Sequence, residues 1–176
     1  DRAHAELSAR CSTVFAFGLS MGGLLATKLA QEKPDLAGLV LVNPIFAHNN
    51  PALKILPLLR HVVPALGGLA GDIKKPGVIE LAYDRNPLQA MHSQTKLWRI
   101  VVEDLPQLRL PVLLITSSED HVVPPLSWQT FLRRVGSDDV AHVMLHDSYH
   151  VATLDNDAEL VFDESVTFIR RVAGEG

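Results

Sequence analysis

Thr13-Val14-Phe15-Ala16-Phe17-Gly18-Leu19-Ser20-Met21-Gly22-Gly23-Leu24-Leu25-Ala26-Thr27-Lys28-Leu29-Ala30 is the stretch that decides how this chain folds. An apolar run suited to a strand, Thr13 to Phe17, meets a helix-forming run, Gly23 to Ala30, across the pentapeptide Gly18-Leu19-Ser20-Met21-Gly22. A serine on so abrupt a strand-to-helix turn is held in a strained conformation, with its Oγ exposed at the end of a sheet. Glycines at the two flanking positions, Gly18 and Gly22, are expected to let strand and helix pack without a Cβ in the way. The N–H of Met21, at the helix N-terminus, would point at a negative charge developing on a bound carbonyl oxygen. The pentapeptide by itself is weak, since a glycine-serine turn between a strand and a helix is also a bland structural element. Partners further along the chain are needed.

Those partners are an acid and a histidine, in the order Ser, Asp or Glu, His. Pro111-Val112-Leu113-Leu114-Ile115-Thr116 is a short continuous apolar run, the pattern of a parallel strand buried on both faces. Ser117-Ser118-Glu119-Asp120-His121 follows as the loop at its carboxyl end. Val140-Ala141-His142-Val143-Met144-Leu145 is the next strand, and Asp147-Ser148-Tyr149-His150 comes after it. Both loops leave the sheet edge that Ser20 leaves, which is where open α/β sheets place their sites. Asp120 is the better acid and Glu119 its competitor, because a short aspartate holds an imidazole more rigidly. His150 is the base. Of the eight histidines, His4, His48, His61 and His92 lie away from these strand ends and read as surface or cap residues, and His121 as a loop residue beside the acid.

His142, His146 and His150 are spaced four apart and would line one face of a helix as metal ligands. The segment is a poor helix, however. Val140, Val143, Met144 and Leu145 suit a buried strand and Asp147-Ser148 a turn, which would divide the three between faces and a loop. No metal site is expected.

The remaining punctuation organises the chain. The helix after the serine stops before Pro34-Asp35, and Gly38-Leu39-Val40-Leu41-Val42-Asn43 is a second buried strand. From Pro44 to about Pro87, prolines and glycines interrupt short apolar clusters such as Ile55-Leu56-Pro57-Leu58-Leu59 and Val62-Val63-Pro64-Ala65-Leu66. This is too long and apolar for an idle connection and reads as an inserted cap, an apolar lid over an acyl chain in preference to a small satellite core. A helix around Leu88 to Leu105 returns to the sheet, with Leu97, Ile100, Val101 and Leu105 at helical spacing. Trp128, Phe131, Leu132 and Val135 mark another helix, begun by Pro124-Pro125 and stopped by Gly136. Phe162, Val166 and Ile169 are expected to give the last helix its buried face. The expected fold is α/β: a parallel sheet of four strands flanked by helices, with core at 1–43 and 106–176 and the cap and return helix at 44–105.

Composition agrees with one globular portion: 176 residues, 47% hydrophobic and 20% charged, supply ample core. No run reaches the roughly 18 apolar residues of a membrane span. A net charge of −4 leaves no basic footprint for nucleic acid. Cys11 is the only cysteine, so no disulfide forms within the chain.

Four blocks, Gly18-Leu19-Ser20-Met21-Gly22-Gly23, Lys75-Pro76 with Glu80-Leu81-Ala82-Tyr83, Glu119-Asp120-His121-Val122-Val123-Pro124-Pro125, and Ser148-Tyr149-His150-Val151-Ala152-Thr153-Leu154-Asp155, carry a family resemblance over nearly the whole chain. By them the chain resembles the bacterial monoacylglycerol lipases and related carboxylesterases of the α/β-hydrolase superfamily. The resemblance implies Ser20 as nucleophile, Asp120 as acid, His150 as base and Met21 N–H as an oxyanion donor. It also implies Glu80, a carboxylate in an otherwise apolar cap, as a partner for a glycerol head group, against the plainer reading of a solvated helix residue. Ester hydrolysis through an acyl-enzyme needs no metal or organic cofactor. The expected partner is a small ester or lipid, with transient contact to a lipid surface; broader carboxylesterase action and a non-catalytic remnant that binds lipid or a partner are the alternatives. Members of that family begin with several strands and a His-Gly loop that supplies a second oxyanion donor. Nothing before Ser20 resembles it, and the chain reads as the later portion of a longer protein, with an apolar edge at the strand of Phe15 and Phe17.

Overall fold

The computed structural model describes residues 2–68 and 70–174. Helix α1 (Arg2–Ser8) leads to strand β1 (Phe15–Leu19), helix α2 (Met21–Glu32) and strand β2 (Gly38–Val42). A long insertion follows: a 3-10 turn (Pro51–Lys54), the short helix α3 (Leu56–Leu59), strands β3 (Ala65–Gly67) and β4 (Arg85–Pro87), and helix α4 (Leu88–Asp104). The chain then builds β5 (Val112–Ser117), α5 (Leu126–Arg134), β6 (Val140–Leu145) and α6 (Ala158–Ala173).

The main sheet is parallel throughout, in the order β1-β2-β5-β6. Its two central strands, β2 and β5, are buried at every position, which is why they read as unbroken apolar runs. Alternation still operates within them. Leu39, Leu41, Val112 and Leu114 face α2, α4 and α5, meeting Leu24, Val101 and Phe131. Val40, Val42, Leu113 and Ile115 face the other way, onto Val161 and Phe168 of α6. Each fully buried leucine or isoleucine contributes about 1.5–3 kcal/mol relative to exposure, so these two strands anchor both layers. The expected architecture, a four-stranded parallel sheet between helices, is what the chain forms.

β1 stands at the edge of the sheet, with Phe17 half exposed beside Leu19. The buried face of α6 differs from the sequence expectation. Phe162 and Val166 are exposed, and Val161, Ser165 and Phe168 point inward, with Ile169 packed at the margin. The inward stripe contains a serine, made compatible with burial by its Oγ donating to the Val161 carbonyl at 2.6 Å. Val101 on α4 and Leu105 just beyond its end are buried and Leu97 belongs to the same cluster as expected, while Ile100 is exposed. His4 and His92, read from the sequence as surface or cap residues, are buried, His4 beside Asp35.

Within the insertion, β3 and β4 pair antiparallel, Leu66 opposite Asn86. The loop between them reaches back to the carboxyl edge of the main sheet, where the Asp72 carbonyl accepts from Val151 N at 3.1 Å. Leu56 and Leu88 root the insertion in buried contacts. Much of its remaining apolar surface faces outward, including Leu58, Val62, Ile79, Leu81 and Tyr83.

Candidate active site

Ser20 has φ 53° and ψ −118°, outside the backbone conformations that a residue with a Cβ ordinarily adopts. Such strain costs about 1–3 kcal/mol and persists only where the surroundings over-determine it. They do so here. Ser20 N donates to the Val42 carbonyl at 2.9 Å, and the Ser20 carbonyl accepts from Gly23 N, Leu24 N and Ile45 N at 3.0–3.3 Å. The turn is therefore tied to the neighbouring strand end and to its own helix.

The close approach that makes the turn possible falls on Gly18 and Gly23. A Cβ on Gly18 would overlap the backbone of Gly22 and Gly23, and one on Gly23 would stand 2.9 Å from the Cβ of Pro44. Gly22, expected to share this duty, has nothing within 4 Å of its would-be Cβ among the described residues. The packing requirement is thus one residue further along than the pentapeptide suggests.

Met21 and Gly22 open α2, so their N–H groups have no acceptor within the helix, while the next two amides are satisfied by the Ser20 carbonyl. Met21 is half exposed. Its N–H carries no hydrogen bond to any described residue, nor does the Ser20 hydroxyl.

The other two expected residues meet directly. His150 Nδ1 lies 2.8 Å from Asp120 Oδ2, each side chain only 6% exposed. The second carboxylate oxygen of Asp120 accepts from Val122 N and Val123 N at 2.8 and 2.7 Å. Two backbone donors on one oxygen fix the carboxylate and leave the other for the imidazole. Glu119, one residue away, points elsewhere: it is half exposed and pairs with Lys74 at 3.6 Å. With Nδ1 engaged by Asp120, the His150 Nε2 is the ring atom left to take or give a proton.

Four polar residues that the sequence reading did not single out build the His150 loop. Asn43, buried and at φ 43°, follows β2. Its Nδ2 donates to the His150 carbonyl at 2.8 Å and to Ser117 Oγ at 2.9 Å, and its Oδ1 accepts from Ser117 N at 2.7 Å. Ser117 Oγ in turn donates to the Tyr149 carbonyl at 2.8 Å. Asp155 accepts four backbone N–H groups, from Lys74, Lys75, Tyr149 and Asn156, at 2.7–2.9 Å. Burial works to raise its pKa, but those four amides outweigh burial and hold the carboxyl below its ordinary value. Asp72 accepts from His150 N at 3.0 Å and pairs through its other oxygen with His121 Nδ1 at 2.8 Å. His121 also lies edge-on to Tyr149, with ring centroids 4.5 Å apart. An Asn directly after an apolar strand and before Pro44 was the one available sequence signal for Asn43.

Glu80 lies in the irregular loop between β3 and β4, not on a helix, and its Oε2 accepts from Gly71 N at 2.8 Å. His142 sits on β6 with Nε2 2.8 Å from Thr116 Oγ1, so His142, His146 and His150 do not share a helix face. Among the described residues no three His, Cys, Asp or Glu side chains are grouped to hold a metal ion. A small cavity of about 60 Å³ is lined by Asp120 together with Asn43, Pro44, Ser118 and Trp128.

Comparison with known proteins places these features in context. The Hydrolase_4 family model, described as serine aminopeptidase, S33, matches residues 2–157. The chain is 35% identical over 175 residues to the thermostable monoacylglycerol lipase of Bacillus sp. (strain H-257), covering 99% of this chain and 69% of that protein. It is 28% identical over 155 residues to the monoglyceride lipase of Mus musculus, covering 78% of this chain and 51%, about half, of that relative. Among solved structures it superposes with a TM-score of 0.91 at 38% identity on one from work on LipS and LipT, two metagenome-derived lipolytic enzymes, covering 97% of this chain and 70% of that one. A soluble variant of the Saccharomyces cerevisiae monoglyceride lipase shares the fold, with a TM-score of 0.75 at 18% identity over 97% of this chain and 66% of that one.

Proposed function

Since the chain belongs to the Hydrolase_4 (serine aminopeptidase, S33) family of the α/β-hydrolase superfamily, we propose that it is a serine ester hydrolase acting on fatty-acid monoesters of glycerol through an acyl-enzyme. The observation that carries the reading is the buried 2.8 Å contact of His150 Nδ1 with Asp120 Oδ2 at the sheet edge on which the strained Ser20 stands.

The chemistry follows from those groups. His150 Nε2 takes the proton of Ser20 as Oγ attacks the ester carbonyl, and Asp120 orients the ring and stabilises the imidazolium. Oγ is unengaged in the free protein, as catalytic hydrogen bonds often are before substrate arrives. The N–H of Met21 donates to the tetrahedral oxyanion, helped by the N-terminus of α2. Protonation by His150 releases the alcohol. Water then attacks the acyl-enzyme by the same path and frees the acid. No step calls for a metal or an organic cofactor.

The insertion at 44–105 is the cap over this site. Each buried methylene of an acyl chain is worth about 0.8 kcal/mol, so an apolar cap favours longer chains without polar recognition. Glu80 is the head-group partner, able to accept from a glycerol hydroxyl. The outward apolar side chains Leu58, Val62, Ile79, Leu81 and Tyr83 support brief contact with the lipid surfaces that hold such substrates. No helix among the described residues is long and apolar enough to cross a membrane.

The direct test is glycerol release from a monoacylglycerol, together with labelling by a fluorophosphonate probe and mapping of the labelled residue. Labelling at Ser20 with turnover is expected. Hydrolysis that survives in Ser20→Ala would end the proposal, and labelling without turnover would favour a binding role.

A further inference from the structure

The peptide unit of His150 is held from two directions. On its carbonyl side the grip comes from the sheet, through Asn43 Nδ2 at 2.8 Å. On its amide side it comes from the cap, through Asp72 Oδ2 at 3.0 Å. The same oxygen accepts from His121 N at 3.2 Å, and Oδ1 meets His121 Nδ1 at 2.8 Å. One carboxylate, 17% exposed, thus bonds to His150 itself and to the residue following Asp120.

The surrounding chain repeats the arrangement. Val151 N donates to the Asp72 carbonyl at 3.1 Å, and the amides of Lys74 and Lys75 donate to Asp155. Lys74 Nζ lies 3.2 Å from Asp147 and 3.6 Å from Glu119, and its charge sits 5.6 Å from the centre of the Tyr149 ring. Residues 72–75 of the cap therefore clasp both loops that carry the acid and the base. If the cap lifts, the amides of His150 and Val151 lose their partners together or must find water.

We propose that Asp72 is a positioning residue that makes the place of the His150 imidazole depend on the cap being seated, so that the base is set for catalysis only when the cap is down. The proposal rests on the reading of His150 as the base. A misplacement of about 1 Å at a catalytic group can cost up to about a hundredfold in rate, so a hydrogen bond to the backbone of the base is enough to carry such coupling.

The test compares Asp72→Ala, Asp72→Asn and Asp72→Glu with wild type in the full-length protein, on a short soluble p-nitrophenyl ester, with rates normalised to folded protein by circular dichroism. Asp72→Ala should lower kcat by about tenfold or more, the size of one lost charge-assisted hydrogen bond, with KM changed less than about twofold. Asp72→Asn keeps an oxygen for His150 N and should recover most of that loss. Asp72→Glu keeps charge and acceptors but displaces them by a methylene; it should lower kcat severalfold even if the alanine variant does not fold. Wild-type kcat in both Ala and Glu variants, a loss confined to KM, or no recovery in the Asn variant would overturn the proposal. Ser20→Ala measured alongside separates the two readings: activity in Ser20→Ala removes the base assignment itself, whereas an inactive Ser20→Ala beside a fully active Asp72→Ala removes only the role of Asp72.

Discussion

A Cβ on Gly18 would stand 2.3 Å from the carbonyl oxygen of Gly22, closer than any real side chain comes to a backbone. That relationship ranks the glycines of the serine turn. Gly18→Ala must shift backbone and should destabilise by about 1–3 kcal/mol or more, with loss of activity as the turn opens. Gly22→Ala, in a helix with open space, should be neutral or stabilising by up to about 1 kcal/mol. Urea unfolding of both variants checks the order, and equal destabilisation would contradict it.

Asp120 and Glu119 should separate cleanly. Asp120→Asn is expected to lower kcat by about 10⁴ by presenting the wrong tautomer of His150. Glu119→Gln, which removes only a half-exposed pair with Lys74, should leave kcat within about twofold. Steady-state kinetics on a soluble ester decides between them, and the reverse ranking would move the acid to Glu119.

Glu80→Ala should reduce kcat/KM for a monoacylglycerol by about tenfold or more, with little effect on an ethyl ester of equal chain length. Because Glu80 also accepts from Gly71 N, equal losses on both substrates would assign it to holding the loop next to Asp72.

The Asp155 carboxyl titrates below its ordinary value in the folded protein, so the unfolded chain binds its proton first as pH falls. The stability it contributes is then fully present above the ordinary carboxylate pKa of about 3.9 and is lost as pH drops through the lower folded value. Asp155→Asn would set an amide donor against backbone donors and should cost about 1–3 kcal/mol at pH 7. The gap between variant and wild type in urea unfolding should narrow as pH is lowered from 5 to 3. A gap that widens would contradict the sign.

The sheet was legible because its central strands are buried on both faces: β2 and β5 announce themselves as apolar runs, and β6 occupies the span read for it, Val140–Leu145. The buried face of α6 was not. Phe162-Val166-Ile169 and Val161-Ser165-Phe168 share the same four-then-three spacing, and hydrophobicity alone prefers the stripe without a serine. Packing against Val40, Val42 and Leu113 selected the other, and a hydrogen bond along the helix made Ser165 tolerable there. In the site, side-chain type and strand-end position pointed to Ser20, Asp120 and His150. Asn43, Asp72 and Asp155 act on backbone amides and carbonyls, several of them 70 or more positions away. A main-chain partner leaves no mark in the residue types, so such residues carry no sequence pattern.

That the His150 loop is fastened through its main chain has a consequence for diversity. Asn43, Asp72 and Asp155 grip peptide groups at 149, 150 and 151, and none of them asks anything of the side chains at 149 or 151–154. Val151 and Ala152 are buried and Tyr149 packs on His121, but Thr153 and the exposed Leu154 are free to be randomised in a library while the imidazole keeps its place. The loop is a socket in which outward-facing side chains can be exchanged around a fixed imidazole.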